Sequence, residues 1–294
     1  MKGIAPWLQA HWDWRAAGNF ICGGSGSGLL VLAAAHASSG GTVDRIIVLA
    51  GLALIAAGLA MVWTELGRQL RFLNVFRHAR TSWMTREALV AMPLFGFGVL
   101  AAWTGERGLL LCTAAFALGF LYCQARMLHA SKGIPAWRIA TSVPLLASTG
   151  LAEGAGALLA LHYLASGGTA VAGSAQLWLF AVLLALRFVN WEAYRQSVKS
   201  NVPEDALKAI AQVTPHVVRF GHAAPAALLL AGLLLPGIAA EAGALAGLLA
   251  IEAGWRLKFC IVRKAGFNQG FALPVTPNRG LSGTHRGIKP GWRP

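Results

Sequence analysis

The chain has 294 residues, 56% of them hydrophobic and only 12% charged, with a formal net charge of +14 and a mean hydropathy of +0.58. A soluble domain carries about 25% charged residues, so this composition excludes an ordinary soluble enzyme. It also argues against nucleic-acid binding, because the basic residues fall in short stretches between apolar blocks rather than beside a foldable soluble core.

A hydrocarbon layer of roughly 30 Å needs about 20 apolar residues per helix at 1.5 Å each. The sequence supplies eight blocks of that kind, at 16–36, 44–65, 87–104, 108–127, 139–163, 174–196, 216–236 and 239–261. They predict an all-α, polytopic integral membrane bundle over 1–264, followed by a basic tail containing Gly and Pro over 265–294. That tail has too few apolar residues to build a core.

Ahead of the first span stand Lys2, Asp13 and Arg15, with no small-residue cleavage site, so a cleaved signal peptide is not expected. Trp7, Trp12 and Trp14, with Trp83 and Trp137, suit an aromatic belt at one interface. Trp12 and Trp14 are also placed to border a binding pocket. The first span carries Gly23, Gly24, Gly26 and Gly28. These lie inside an apolar segment and not between a strand and a soluble helix, so the GxxxG pair Gly24 and Gly28 reads as a helix-packing face and not a phosphate loop. Span 2 ends at Glu65 and span 3 begins at Glu87, separated by a strongly basic loop. Span 5 holds Glu153 at its middle in TGLAEGAGA, and span 6 has Glu192 near its end. Residues 203–212 follow Asn201 as a candidate cap and predict a short surface helix. His216 and His222 begin span 7, a tight turn at Pro236 and Gly237 makes the last two spans a hairpin, and Glu252 and Arg256 occupy the end of span 8. Cys22, Cys112, Cys123 and Cys260 show no metal or disulfide spacing, and no metal site is expected.

Of the 25 Lys and Arg residues, all but Arg45 and Arg107 fall on one side of this layout. The positive-inside rule then places both termini in the cytoplasm and the chain in the inner, cytoplasmic membrane.

Ionisable groups in lipid are costly, so each is a functional candidate. Glu65, Glu87, Glu192, His216, His222, Glu252 and Arg256 all sit in the third of the membrane nearest the basic side. Arg68 and Arg71 flank Glu65. Acids and histidines gathered below a membrane surface suit proton exchange with a lipid-soluble redox carrier, because quinone reduction takes protons as well as electrons. The plainer reading of each is an interfacial residue that pairs with Arg and reaches toward water. Glu252 and Arg256, spaced i, i+4, are expected to form an ion pair pointing into the bundle. Glu153 and Glu192 are candidates for a buried proton relay, with a hydrogen-bonded structural Glu as the alternative for Glu153. His36 and His162 lie toward the opposite face, and haem between them is not expected.

The stretch ELGRQLRFLNVFRHARTSWMTREALV, from Glu65 to Val90, resembles the membrane-anchor subunits of the dimethyl sulfoxide reductase family. LLAIEAGWRLKF in the last span resembles that family's final helix, and the glycine-rich first span agrees. The resemblance implies a non-catalytic, haem-free subunit. It would hold a ferredoxin-like iron–sulfur subunit and a molybdopterin catalytic subunit containing molybdenum or tungsten. Electrons would pass between these and menaquinone or ubiquinone. Glu87, Glu252 and Arg256 match the family pattern, whereas Glu65 stands where relatives often have a quinol-associated histidine. The tail GFNQGFALPVTPNRG resembles a branch found with phenylacetyl-CoA:acceptor oxidoreductase. Two other functions compete: a proton-coupled secondary transporter built on Glu153, for which no internal repeat is visible, and a purely structural anchor.

Overall fold

The computed structural model describes residues 5–65, 75–76, 80–168 and 173–270. Among the described residues nine α-helices make up the bundle: α1 (Trp14–Ser38), α2 (Arg45–Glu65), α3 (Trp83–Thr104), α4 (Arg107–Ala130), α5 (Ser142–Ala165), α6 (Ser174–Val198), α7 (Glu204–Val218), α8 (Ala224–Leu234) and α9 (Ala239–Phe259). A π-helical turn, Arg219–Ala223, joins α7 to α8, so residues 204–234 form one continuous helical rod. The segment expected to be a separate surface helix is therefore the first part of a span. Asn201 does not cap it: Pro203 holds that position, while the Asn201 amide donates to Ser197 O at the end of α6.

Among the described residues seven helical segments are long and apolar enough to cross a membrane. α9 spans 21 residues and packs along α5, α8 and α1, but it carries Glu241, Glu252, Arg256 and Lys258, which sets it apart from the seven. The outer faces bear Met92, Val99, Trp103, Trp178, Val182 and Val189, all exposed. An apolar surface so extensive suits lipid and not water. The chain is an all-α, multi-pass membrane protein.

Local sequence sets the helix ends. Asp13 caps α1 by accepting from the Arg15 amide, and Ser82 caps α3 by accepting from the Thr85 amide. Gly105, at φ 76°, ends α3 in the left-handed conformation that glycine adopts freely. A 3₁₀ turn, Pro236–Ile238, closes the α8–α9 hairpin.

α1 and α5 are the most enclosed spans and lie at the centre. They meet at glycines: a Cβ on Gly28 would stand 1.9 Å from Gly150 O, and one on Gly154 would stand 2.0 Å from the Gly28 carbonyl carbon. Only bare backbone permits that approach. Gly156 of α5 meets Gly247 of α9 in the same way. Around this axis lie three apolar clusters. One, at the basic end, is built on Phe20, Trp137, Trp191 and Leu257. A second holds Leu29, Leu158 and Phe180, and a third holds Leu52, Leu94 and Phe120. Trp137 is buried, with its indole N–H donating to Ile261 O, so it belongs to the core and not to an interfacial belt.

Candidate functional site

At the basic end, the start of α1, the end of α2, the start of α3 and the end of α4 enclose a cavity of about 800 Å³. Its walls are apolar, with Phe20, Leu59, Trp63, Met84 and Ala91 among them. Trp12 also borders it, stacked on Trp137 at 4.7 Å, whereas Trp14 is exposed. Three polar side chains enter: Asn19, Glu65 and Glu87. Each comes from the basic-end turn of a different helix, which is why residues so far apart in sequence share one wall.

Glu87 is 3% exposed and Asn19 2%, and neither Glu87 Oε1 nor Asn19 Oδ1 has a hydrogen-bond partner among the described residues. Buried polar atoms are nearly always paired, so these two leave hydrogen-bonding capacity beside the cavity, where Glu87 neighbours Asn19 and Gln124 and Asn19 Oδ1 packs against α2 at Gly58. Behind them the Gln124 amide donates to Asn19 O at 2.9 Å, crossing α1 where a Cβ on Gly23 would lie 2.3 Å from its nitrogen. Glu65 is half-buried at the mouth, beside Arg15, whose guanidinium donates to Thr64 O at 2.9 Å. Asp13 completes that corner at 2.8 Å from Arg15, and this hydrogen-bonded guanidinium holds its carboxyl below the usual carboxylate range. Thr85 Oγ1 donates to Val75 O, which fixes Val75 and Phe76 as a further wall. Arg68 and Arg71 lie outside the described residues.

The remaining candidates do not join this cavity. Glu252 accepts from Arg256 Nε and meets His216 Nε2 at 2.5 Å. This group faces outward, with the Arg256 side chain 61% exposed, so the ion pair does not point into the bundle as expected. The reason is rotational: the inner face of α9 at this level is taken by Ala253, Gly254 and Leu257. His222 is buried elsewhere, beneath α6. Its Nδ1 lies 2.9 Å from Val217 O, and its Nε2 accepts from Arg187 Nε at 3.2 Å. Arg187 donates as well to Ala250 O and to Gly221 O, inside the π turn. The expected basic-face cluster is thus four separate groups: Glu65 with Glu87, Glu252 with Arg256 and His216, His222 with Arg187, and Glu192 with Arg195.

Glu153 is fully buried at the centre. Lys258 Nζ stands 2.5 Å from its Oε2, and Ser25 Oγ donates to the same oxygen at 2.7 Å while accepting from the Trp255 indole. Glu153 Oε1 has no hydrogen-bond partner among the described residues and abuts Gly254, where a Cβ would lie 2.3 Å away. Glu192 is not buried: it is half-exposed and paired with Arg195 at 2.7 Å, one turn on, so it cannot act as an enclosed relay. On the far side the rings of His36 and His162 meet edge to face at 4.8 Å, and Gln176 Nε2 lies 2.9 Å from His36 Nδ1. Among the described residues no three metal-ligating side chains gather, and all four cysteines are free.

Sequence reasoning missed Asn19, Gln124, Lys258 and the buried position of Arg187. A signal existed for two of them, since Lys258 and Arg187 are charges within apolar helices. Fold and composition define a multi-pass helical membrane protein with an apolar cavity at its basic end. Neither family models nor curated proteins give a match to the chain.

Proposed function

We propose that this protein is a quinone-reactive membrane subunit of an oxidoreductase complex, with the quinone head group in the cavity between α1, α2, α3 and α4. The observation that carries the reading is the pair of buried oxygens, Asn19 Oδ1 and Glu87 Oε1, that have no hydrogen-bond partner among the described residues and stand beside a largely apolar cavity. A quinone supplies two-electron, two-proton chemistry on a flat apolar ring bearing two oxygens.

The residues fit that group. Glu87 as an acid donates to a quinone carbonyl, and as a carboxylate it accepts from a quinol hydroxyl. Asn19 Oδ1 only accepts, so it favours the hydroxylated form. Glu65, half in water, passes the proton between cavity and solvent. A volume of about 800 Å³ lies within the roughly 300–1,000 Å³ usual for small-molecule sites. The partners follow the resemblance of the segment from Glu65 to Val90. A ferredoxin-like iron–sulfur subunit, docked on the basic face at the cavity mouth, carries electrons to or from a molybdopterin subunit. That face is cytoplasmic by the positive-inside rule.

Binding of a fluorescent hydroxyquinoline N-oxide, a quinol analogue, tests the site. Loss of one buried hydrogen bond costs about 1–3 kcal/mol, so Glu87→Gln and Asn19→Leu should each weaken binding roughly 5- to 150-fold. Unchanged binding in both variants refutes the site. Purification through a tag on this chain tests the partners: iron with molybdenum or tungsten should accompany it, and a lone, metal-free chain from intact membranes overturns that part. Substrate-dependent proton uptake by liposomes holding this chain alone would instead make it a transporter.

A further inference from the structure

His216 and Arg256, both paired with Glu252, line a second cavity of about 360 Å³, between α7 and the end of α9. Val213, Trp255 and Phe259 form its apolar surface, and His216, Arg256 and Lys264 supply its basic groups. A second π-helical turn, Cys260–Lys264, closed by the Ala265 amide donating to Cys260 O at 2.8 Å, carries Lys264 to the same cavity as Arg256.

Two features define the charge this cavity accepts. Arg256 meets Glu252 through Nε, which leaves its two terminal nitrogens without a protein partner among the described residues. Lys264 is exposed and has no hydrogen bond or ion pair among them. The carboxylate beside the cavity, Glu252, pairs with Arg256 and is shared with His216, so the charge of Lys264 has no acidic partner among the described residues. A third feature defines the shape of the occupant. Leu245 and Leu248, both exposed, precede Glu252 and Trp255 at helical spacing on α9, so an apolar track runs from the cavity toward the middle of the membrane.

We infer that this cavity binds an anionic phospholipid, its phosphate on Arg256 and Lys264 and one acyl chain along Trp255, Leu248 and Leu245. Excess positive charge at the basic interface selects an anion, and the apolar track selects one that carries a hydrocarbon chain. A zwitterionic lipid brings its own ammonium to the same cations and gains less. The inference stands independently of the quinone reading.

The test uses the full chain, delipidated in a non-ionic detergent and titrated with dioleoyl phosphatidylglycerol or dioleoyl phosphatidylcholine. Bound lipid is counted by native mass spectrometry. Phosphatidylglycerol should bind the more tightly, and Lys264→Gln and Arg256→Gln should each weaken it about fivefold, as expected for one cation near a membrane surface. Glu252→Gln removes the competing carboxylate and should tighten binding, a gain that misfolding cannot produce. Equal affinity for the two lipids, or no loss in Lys264→Gln, overturns the proposal. Displacement of phosphatidylglycerol by millimolar inorganic phosphate would mark a free-anion site and also overturn it.

Discussion

The ion pair between Glu153 and Lys258 offers a sharp test of the bundle's interior. Both side chains are buried, at 0% and 1% exposure, and Lys258 Nζ has no protein partner other than Glu153 Oε2 among the described residues. Lys258→Met keeps the length of the side chain and removes its charge, leaving the carboxylate with the Ser25 hydroxyl alone. Breaking a buried pair in this way costs about 3–5 kcal/mol, whereas replacing both members by apolar groups of similar volume is near neutral. Lys258→Met and Glu153→Leu should each lose that amount, and the double variant should return to within about 1 kcal/mol of the parent. Helix loss during titration of mixed micelles with dodecyl sulfate measures all three. Additive losses of about 1 kcal/mol each would refute the reasoning, because that is the worth of a neutral hydrogen bond and not of a buried ion pair.

Gly28→Ala drives a Cβ to 1.9 Å from Gly150 O, whereas a Cβ on Gly96 of α3 meets nothing within 4 Å. The first should cost about 3 kcal/mol and the second should be neutral or stabilising in the same titration. Arg187→Met strands Ala250 O and Gly221 O, both held by the guanidinium, and should cost about 3 kcal/mol and loosen the π turn, seen as faster amide exchange at 219–223. Asp13 stabilises the first turn of α1 with a carboxyl held below its unfolded pKa, so its contribution is present above about pH 4 and disappears as pH falls through the lower folded value. Thermal melts of Asp13→Asn and the parent should therefore differ at neutral pH and converge on acidification.

Much of the fold was legible because a bilayer imposes a length, and apolar blocks of that length are hard to mistake. Depth along the helix axis was legible too: Glu65 and Glu87 were placed at one interface and do line one cavity. Rotation about the axis was not. A span that is apolar on all sides has no polar stripe to say which face looks inward. That is why Glu252 and Arg256 were expected inside and lie outside, and why Arg187, counted with the interfacial cations, lies buried beneath His222. Glu153 had no charge near it in sequence, and its partner comes from 105 residues away, as only tertiary packing could reveal. The Gly24 and Gly28 face was readable, since two glycines four apart expose backbone whatever their rotation.

The four charges of α9 bear on how the protein is made. An acid or a lysine costs about 2.5–3.5 kcal/mol at the centre of an inserting helix and less toward its ends, so the four charges of α9 weigh against its entering the bilayer unaided. Its tight turn to α8, the apolar last part of the continuous rod over 204–234, sets the two antiparallel as a hairpin. Lys258 then reaches a carboxylate that has waited on α5 since that helix was inserted. Until α9 is in place, Glu153 lacks its cationic partner within the membrane. Docking of the last helix and neutralisation of that acid are therefore one event, so the final helix completes the electrostatics of the bundle as well as its packing.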